Sequence, residues 1–466
     1  MPVRPLHAFF LLGLPALVFS AFLTEIKLIP SIANNVGLFE ILGGLAIVLF
    51  AITSSRRSLV GNPIINLTGF LFVAAAISLI NIPQPTLVSG LIQTSILLFL
   101  FLFLLALYNL FLTHQVNPGY LLWLITLATA IVGPWILRQG FLFEGDLDAV
   151  GPFRNRAHMG IYMLTGFWLV MIYAFWPDRR RRWIRMAVTI AAIAFCLYAV
   201  AISGRRSAYF SLFLGLAALV VVFPLLIRRR RVSVAAAVAF SIGVLALLYT
   251  QGPGVLPRSE FFRSRVGLVG SRLRSATDAV SGQSTEGFMA LQMQGVNAAV
   301  HAHPLIGVGW GSFHEFELNA TRHEVHSTPL RFLAETGIAG LALYSLLMIH
   351  ILYRSTRLLV SMRASPYAGS YLVLTVAIWS LSVSYLYNRH ITERTFWLLL
   401  LVLLVLEAFA EGYRQSHERE AAALEPPPQS VSALVSAGTA FRHANGIQGS
   451  NQPPQAVREL SSGSRP

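Results

Sequence analysis

Arg205 and Arg206 stand side by side in Ser203-Gly204-Arg205-Arg206-Ser207, between two apolar runs. Arginine held at the centre of a bilayer costs roughly 2.5 to 3.5 kcal/mol. At the interface snorkelling removes most of that cost. One reading makes the pair an anchor for a tight turn at the outer surface, although anchors on that side are usually aromatic. The other makes it an anion clamp. Guanidinium forks grip phosphate bidentately, and each charge-assisted hydrogen bond contributes roughly 1.5 to 3 kcal/mol. A phosphate met at a membrane surface points to a lipid-linked phosphate.

The second concentration of reactive side chains is the polar stretch 251–336. It holds Arg265, Arg272, Arg274 and Arg331, and the histidines His301, His303, His314, His323 and His326. Histidine, with an unperturbed pKa near 6.5, suits the role of base toward a hydroxyl. Met289, Met293, Val296 and Val300 predict an amphipathic helix over 286–302, which His303-Pro304 ends. Gly307-Val308-Gly309-Trp310-Gly311 is a tight glycine turn, and a second short helix is expected from His326 to Thr336. Gly337 and Gly340 then open the next span. His301 and His303 read as structural, and His314 and His323 as solvated or acceptor-facing. His326 has two readings, a base or a helix-capping or core histidine. Trp310, Phe313 and Phe316 pack either against sugar rings or within the loop's own core.

Other chemistry is weakly supported. Asp146 and Asp148, with Glu144 before them, form an acidic pattern of the kind that holds divalent cations. Such patterns arise by chance, and a solvated loop is the simpler reading. The histidines offer no convincing helical pair with an acidic partner. No metal or other cofactor is expected. The glycine turn lacks the strand–turn–helix context and the Lys-Ser or Lys-Thr of a nucleotide loop.

The elements that position these residues follow from composition. The chain has 466 residues, 55% hydrophobic and 12% charged, where an ordinary soluble domain has about 25% charged. Such a chain cannot cover a globular surface, and its continuous apolar runs exclude a transmembrane β-barrel. An all-α, polytopic membrane protein remains. Apolar segments of spanning length fall at 6–23, 36–53, 63–80, 89–112, 119–139, 157–176, 184–204, 207–227, 232–250, 337–353, 367–387 and 392–410, about twelve in all. The net charge of +15 comes almost wholly from arginine, the only lysine being Lys27. The arginines cluster at span ends, as membrane orientation and anionic lipids require, so nucleic acid is not expected as a partner. Arg179 to Arg182 and Arg228 to Arg231 mark cytoplasmic loops. Both termini then lie in the cytoplasm and 251–336 forms one long outer loop. The membrane domain is expected over 1–415, and a disordered cytoplasmic tail over 416–466. The one cysteine, Cys196, permits no intrachain disulfide.

Three segments carry a resemblance. "ISGRRSAYFSL", "HPLIGVGWGSF" and "HSTPLRFLAETGIAGLAL" resemble, in order over roughly 195–350, the characteristic segments of the O-antigen ligase and polymerase superfamily. The resemblance implies a GT-C-like helical membrane fold and neither a nucleotide sugar nor a catalytic metal. It also implies a glycan donor linked to undecaprenyl diphosphate and a periplasmic acceptor hydroxyl, which is lipid A–core for ligases and another lipid-linked glycan for polymerases. Arg206 matches the family's arginine and Arg205 replaces the serine before it. His326 matches the loop histidine proposed as base. Glu335, Gly337 and Gly340 match the end of that segment, and Gly309 belongs to the glycine segment. Ser327 stands where asparagine is common, and Met289 falls near the place of a second arginine. Arg265, Arg272 and Arg274 are the candidates to replace it.

The expected function is therefore an O-antigen ligase-like glycosyltransferase of the bacterial inner membrane. Arg205, Arg206 and loop arginines hold the diphosphate, and His326 acts as base. The rival within the class is a polymerase of lipid-linked repeat units. A transporter or flippase is the rival outside it, but internal repeats and midspan charges are lacking.

Overall fold

The computed structural model describes residues 3–23, 37–53, 62–142, 156–177, 182–203, 205–226, 286–319, 325, 327–388 and 390–424. All regular structure among them is helical. In chain order the α-helices are α1 (Val3–Ala8), α2 (Leu14–Ala21), α3 (Leu38–Thr53), α4 (Pro63–Ser78), α5 (Leu87–His114), α6 (Pro118–Leu142) and α7 (Arg156–Ala174). They continue with α8 (Arg182–Ser203), α9 (Arg206–Leu226), α10 (Glu286–Ala302), α11 (Thr328–Met362), α12 (Ala368–Tyr387) and α13 (Arg394–Leu424). A π-helical turn, Phe9–Gly13, joins α1 to α2. By length and composition, seven helices among the described residues are long and apolar enough to cross a membrane, and four shorter ones are apolar. Every expected span falls on a helix except 232–250, which lies outside the described residues. Helices satisfy their own backbone groups, which is what hydrocarbon demands.

Local chemistry sets the helix ends. Asn62 caps α4 by accepting from the Ile64 amide at 3.0 Å, and Pro63 fills the first helical position. Gln115 closes α5 in the left-handed conformation at φ 49°. Helix α13 continues past residue 415 to Leu424, over a stretch in which alanine, glutamate and arginine favour helix.

Packing divides the helices by role. α7 lies against α6 and α8, and α12 lies against α7, α9 and α11. α7, α12 and the first half of α13 are buried on nearly every face, as helices apolar all round should be. α3, α4, α5 and α11 instead present large apolar side chains outward, including Ile52, Phe70, Val88 and Ile349. These faces suit lipid.

Contacts sort the helix ends into two sets. At one end meet the starts of α3, α7, α9, α11 and α13 and the ends of α4, α8 and α12. At the other end Trp176, after α7, packs on Tyr367 at 4.8 Å and Phe409 at 5.4 Å. Near it Arg185 lies 5.6 Å from the Trp123 ring. By contacts the chain divides into a unit Met1–Ala410 and a unit Glu411–Pro466. In the second unit the described residues are helical, and His417 pairs with Glu420 at 3.4 Å.

Candidate active site

Asn388, in the short connection between α12 and α13, joins two segments that are distant in sequence. Its side-chain amide donates to Ser207 Oγ at 2.6 Å. Its carbonyl accepts from Thr328 Oγ1 at 2.7 Å. Ser207 is the residue after Arg206, and Thr328 stands two residues beyond His326. The arginine segment and the start of α11 are thus tied to one residue. Ser384, one turn earlier on α12, steadies Asn388 through its carbonyl at 2.8 Å.

The arginine turn is itself built closely. Arg205 N–H donates to Ser203 Oγ at 3.3 Å, and the Arg205 carbonyl accepts from Ala208 and Tyr209, so Arg205 stands at the N-cap of α9. The Tyr209 hydroxyl donates to the Ala201 carbonyl and closes the turn onto α8. Gly160 of α7 lies beneath it. A Cβ there would come 2.5 Å from Ser203 Oγ and 3.6 Å from Arg205 Cβ. Only glycine lets α7 and the turn meet this closely.

His390 locks the same connection from inside. Its ring stacks on Tyr385, with centroids 3.7 Å apart at 15°. Thr328 Oγ1 lies 2.9 Å from His390 Nδ1 and accepts from the His390 amide at 3.1 Å. The threonine hydroxyl has one hydrogen and gives it to Asn388, so Nδ1 of the imidazole is the donor in that pair. Burial pushes the His390 imidazole down from 6.5 to about 3, partly offset by its hydrogen bond to the Asn388 backbone. His390 is a neutral structural group. Beyond it Glu393 pairs with His158 Nδ1 at 3.3 Å, and Arg394 pairs with Glu40.

The two glycine-bearing motifs form a reciprocal backbone lock. Val308 N–H donates to the Ala334 carbonyl and Gly309 N–H to that of Glu335, both at 3.0 Å. Ile338 N–H returns a bond to the Pro304 carbonyl at 2.9 Å. Gly307, Gly309 and Gly311 have φ of 70°, 107° and 79°, a region that favours glycine. Gly337, at φ 67° and ψ −165°, breaks α11 at the point where the sequence predicts that the next span opens. A Cβ on Gly307 would overlap the Glu335 carbonyl carbon, and one on Gly337 would overlap that of Leu305. Asn81 and Ser78 bind the turn to α4 through the Gly307 carbonyl and the Trp310 amide, each at 2.9 Å.

Of the residues singled out in the sequence, Glu335 is buried and bound to Arg331 Nε at 2.8 Å and to the Gly311 amide at 2.8 Å. Gly309, Glu335 and Gly337 come together in the lock. Arg205 is half-buried at the turn, and Arg206 begins α9. His326, Arg265, Arg272, Arg274, Asp146 and Asp148 lie outside the described residues, as do His323 and Arg322. The structure decides between the alternatives left for the aromatics. Trp310 and Phe313 are fully buried, and Phe313 packs with Val296, Ala299, Val308, Val325 and Ala334 while Phe316 flanks that cluster. Trp310 and Phe313 build the loop core and present no ring to a sugar, whereas Phe316 at its edge is half-buried. Asn388, His390 and Glu393 are absent from the sequence-derived site because their connection carries no motif. Arg331 had a signal, since an arginine and a glutamate four apart on a predicted helix face one another.

Residues 191–345 match the O-antigen ligase family. That stretch begins in α8, contains the arginine turn and the glycine lock, and ends in α11. That match, over about a third of the chain, supports a likeness to the O-antigen ligase and polymerase superfamily, and the apolar helices suit a multi-pass membrane protein. A comparison with curated proteins finds no match.

Proposed function

We propose that the chain is a ligase-type glycosyltransferase that moves a glycan from undecaprenyl diphosphate to an acceptor hydroxyl of lipid A–core. It works at the periplasmic face of the inner membrane, with twelve spans and both termini in the cytoplasm. The observation that carries this is the Asn388 joint. It brings the element bearing Arg205 and Arg206 to the element that begins just after His326. Arg205 and Arg206, with Arg265, Arg272 or Arg274, neutralise charge developing on the leaving diphosphate. His326 takes the proton of the acceptor hydroxyl, whose oxygen attacks the anomeric carbon, and undecaprenyl diphosphate leaves. Direct attack inverts the anomeric centre. Glu335, Gly309 and Gly337 shape the lock at the break within α11. No step uses a metal or nucleotide.

Purified full-length protein, given a lipid-diphosphate glycan and lipid A–core with and without EDTA, tests this reading. Glycosylated lipid A–core in both conditions is the expected product. Longer glycans on the carrier, with lipid A–core untouched, would assign polymerase activity instead. Absence of transfer to either acceptor would contradict the proposal.

A further inference from the structure

Four buried polar atoms without a partner among the described residues belong to three touching side chains. They are Trp310 Nε1, Arg331 Nη1, Arg331 Nη2 and Glu335 Oε1. The Arg331 guanidinium lies 4.3 Å from the Trp310 ring centroid, and its Nε donates to Glu335 Oε2 at 2.8 Å. Relative exposures are 0% for Trp310 and Arg331 and 1% for Glu335. Glu335 Oε2 is further occupied by the Gly311 amide.

The inventory is lopsided. The two Nη atoms offer four N–H groups and the indole one, against a single carboxylate oxygen. A buried donor left unpaired costs roughly 1 to 3 kcal/mol. An excess of donors calls for a ligand rich in acceptors. The Trp310 ring against one face and Glu335 at Nε orient the guanidinium plane, and its remaining Nη edge has the fork spacing that suits two oxygens of one phosphate group. Thr328, three residues before Arg331 and on the same helix face, is the residue held by Asn388. Asn388 reaches Ser207, next to Arg206.

We infer that the outer edge of Arg331, with Trp310 Nε1, is an oxyanion site for the diphosphate of the lipid-linked donor. This rests on the transfer reading above. Arg331 is then a third arginine for the donor, on a different element from Arg205 and Arg206. Admission of the anion moves Trp310, which stands between Gly309 and Gly311.

The test measures binding of a short-chain polyprenyl diphosphate and of inorganic pyrophosphate to the purified full chain in detergent. Arg331→Lys keeps a charge beside Glu335 and removes the fork. The double variant Arg331→Met with Glu335→Met removes the buried pair at similar volume, which folded proteins often tolerate. Both are expected to bind the polyprenyl diphosphate at least about 10-fold more weakly than wild type, at matched melting temperature. Unchanged affinity in Arg331→Lys would overturn the inference and leave the fork to internal water. If Arg206→Ala weakens binding while the Arg331 variants do not, only this inference fails and the transfer reading stands. If wild type binds neither probe, the transfer reading fails and takes this site with it. Binding of pyrophosphate without the polyprenyl diphosphate would overturn the assignment to the donor.

Discussion

Asn388 and His390 are each asked to hold geometry rather than to do chemistry. Asn388→Ala removes the bond to Ser207 and loosens the connection that receives Thr328. A displacement of about 1 Å at a reacting pair costs on the order of 100-fold. Transfer by Asn388→Ala is therefore expected to fall about 10- to 100-fold, with folded yield kept, in the assay with lipid A–core. Near-normal turnover would show that the joint is not needed. His390 gives a pH dependence whose sign is fixed. Its folded pKa of about 3 lies below the ordinary 6.5. Between these values the unfolded chain binds the extra proton, so stability is full above pH 6.5 and falls as pH drops below it. Melting temperatures of wild type should decline from about pH 6.5 to about pH 4. His390→Phe, which keeps a ring against Tyr385, should flatten that part of the decline. Parallel curves would contradict the buried neutral imidazole. Local pattern singled out Arg205, Arg206 and Gly337, and the family resemblance singled out Glu335. Neither marked Asn388 and His390, because their meaning lies in contacts with residues 181 and 62 positions away.

At the level of elements, the glycine turn and the broken helix hold each other by backbone bonds. Gly337→Ala meets both a left-handed φ and the Leu305 carbonyl, so its loss of stability should exceed the roughly 1 to 3 kcal/mol of backbone strain alone. Gly44 is the contrast. It lies inside α3 with nothing within 4 Å of the place a Cβ would take, so Gly44→Ala should stabilise by about 0.5 to 1 kcal/mol. Thermal melts of the two variants check the pair, and a neutral Gly337→Ala would dissolve the lock. The glycine turn, the helix over 286–302 and the break at Gly337 were all legible, since glycine, proline and 3.6-residue periodicity act locally. The buried stripe of α10 was not fully so. Met293 is 39% exposed while Gln292, Gly295, Val296 and Ala299 face inward. Small Gly295 lets Phe313 approach, with its Cζ 3.1 Å from the place of a Cβ, and close packing outweighs the pull of a large apolar side chain.

For the whole molecule, long apolar runs marked the helices, because the bilayer sets their length. Which helices form the interior was not legible. α7 and α12 are less apolar than the outward-facing α3, α4 and α5, so apolarity alone does not mark the interior and packing decides it. Sidedness is open to direct test, since Cys196 is the only cysteine and is buried. In a Cys196→Ala background, Lys27→Cys should react with an impermeant maleimide from the periplasmic side, and Ser416→Cys only after the membrane is opened. The reverse pattern would invert the proposed topology. The most direct measurement is steady-state transfer over a range of donor concentrations for wild type, His326→Ala and Arg206→Ala at matched folded yield. A base at His326 predicts kcat lower by about 100-fold or more with donor KM little changed, while Arg206→Ala weakens donor use. Normal kcat in His326→Ala would contradict the mechanism and leave that histidine a structural role.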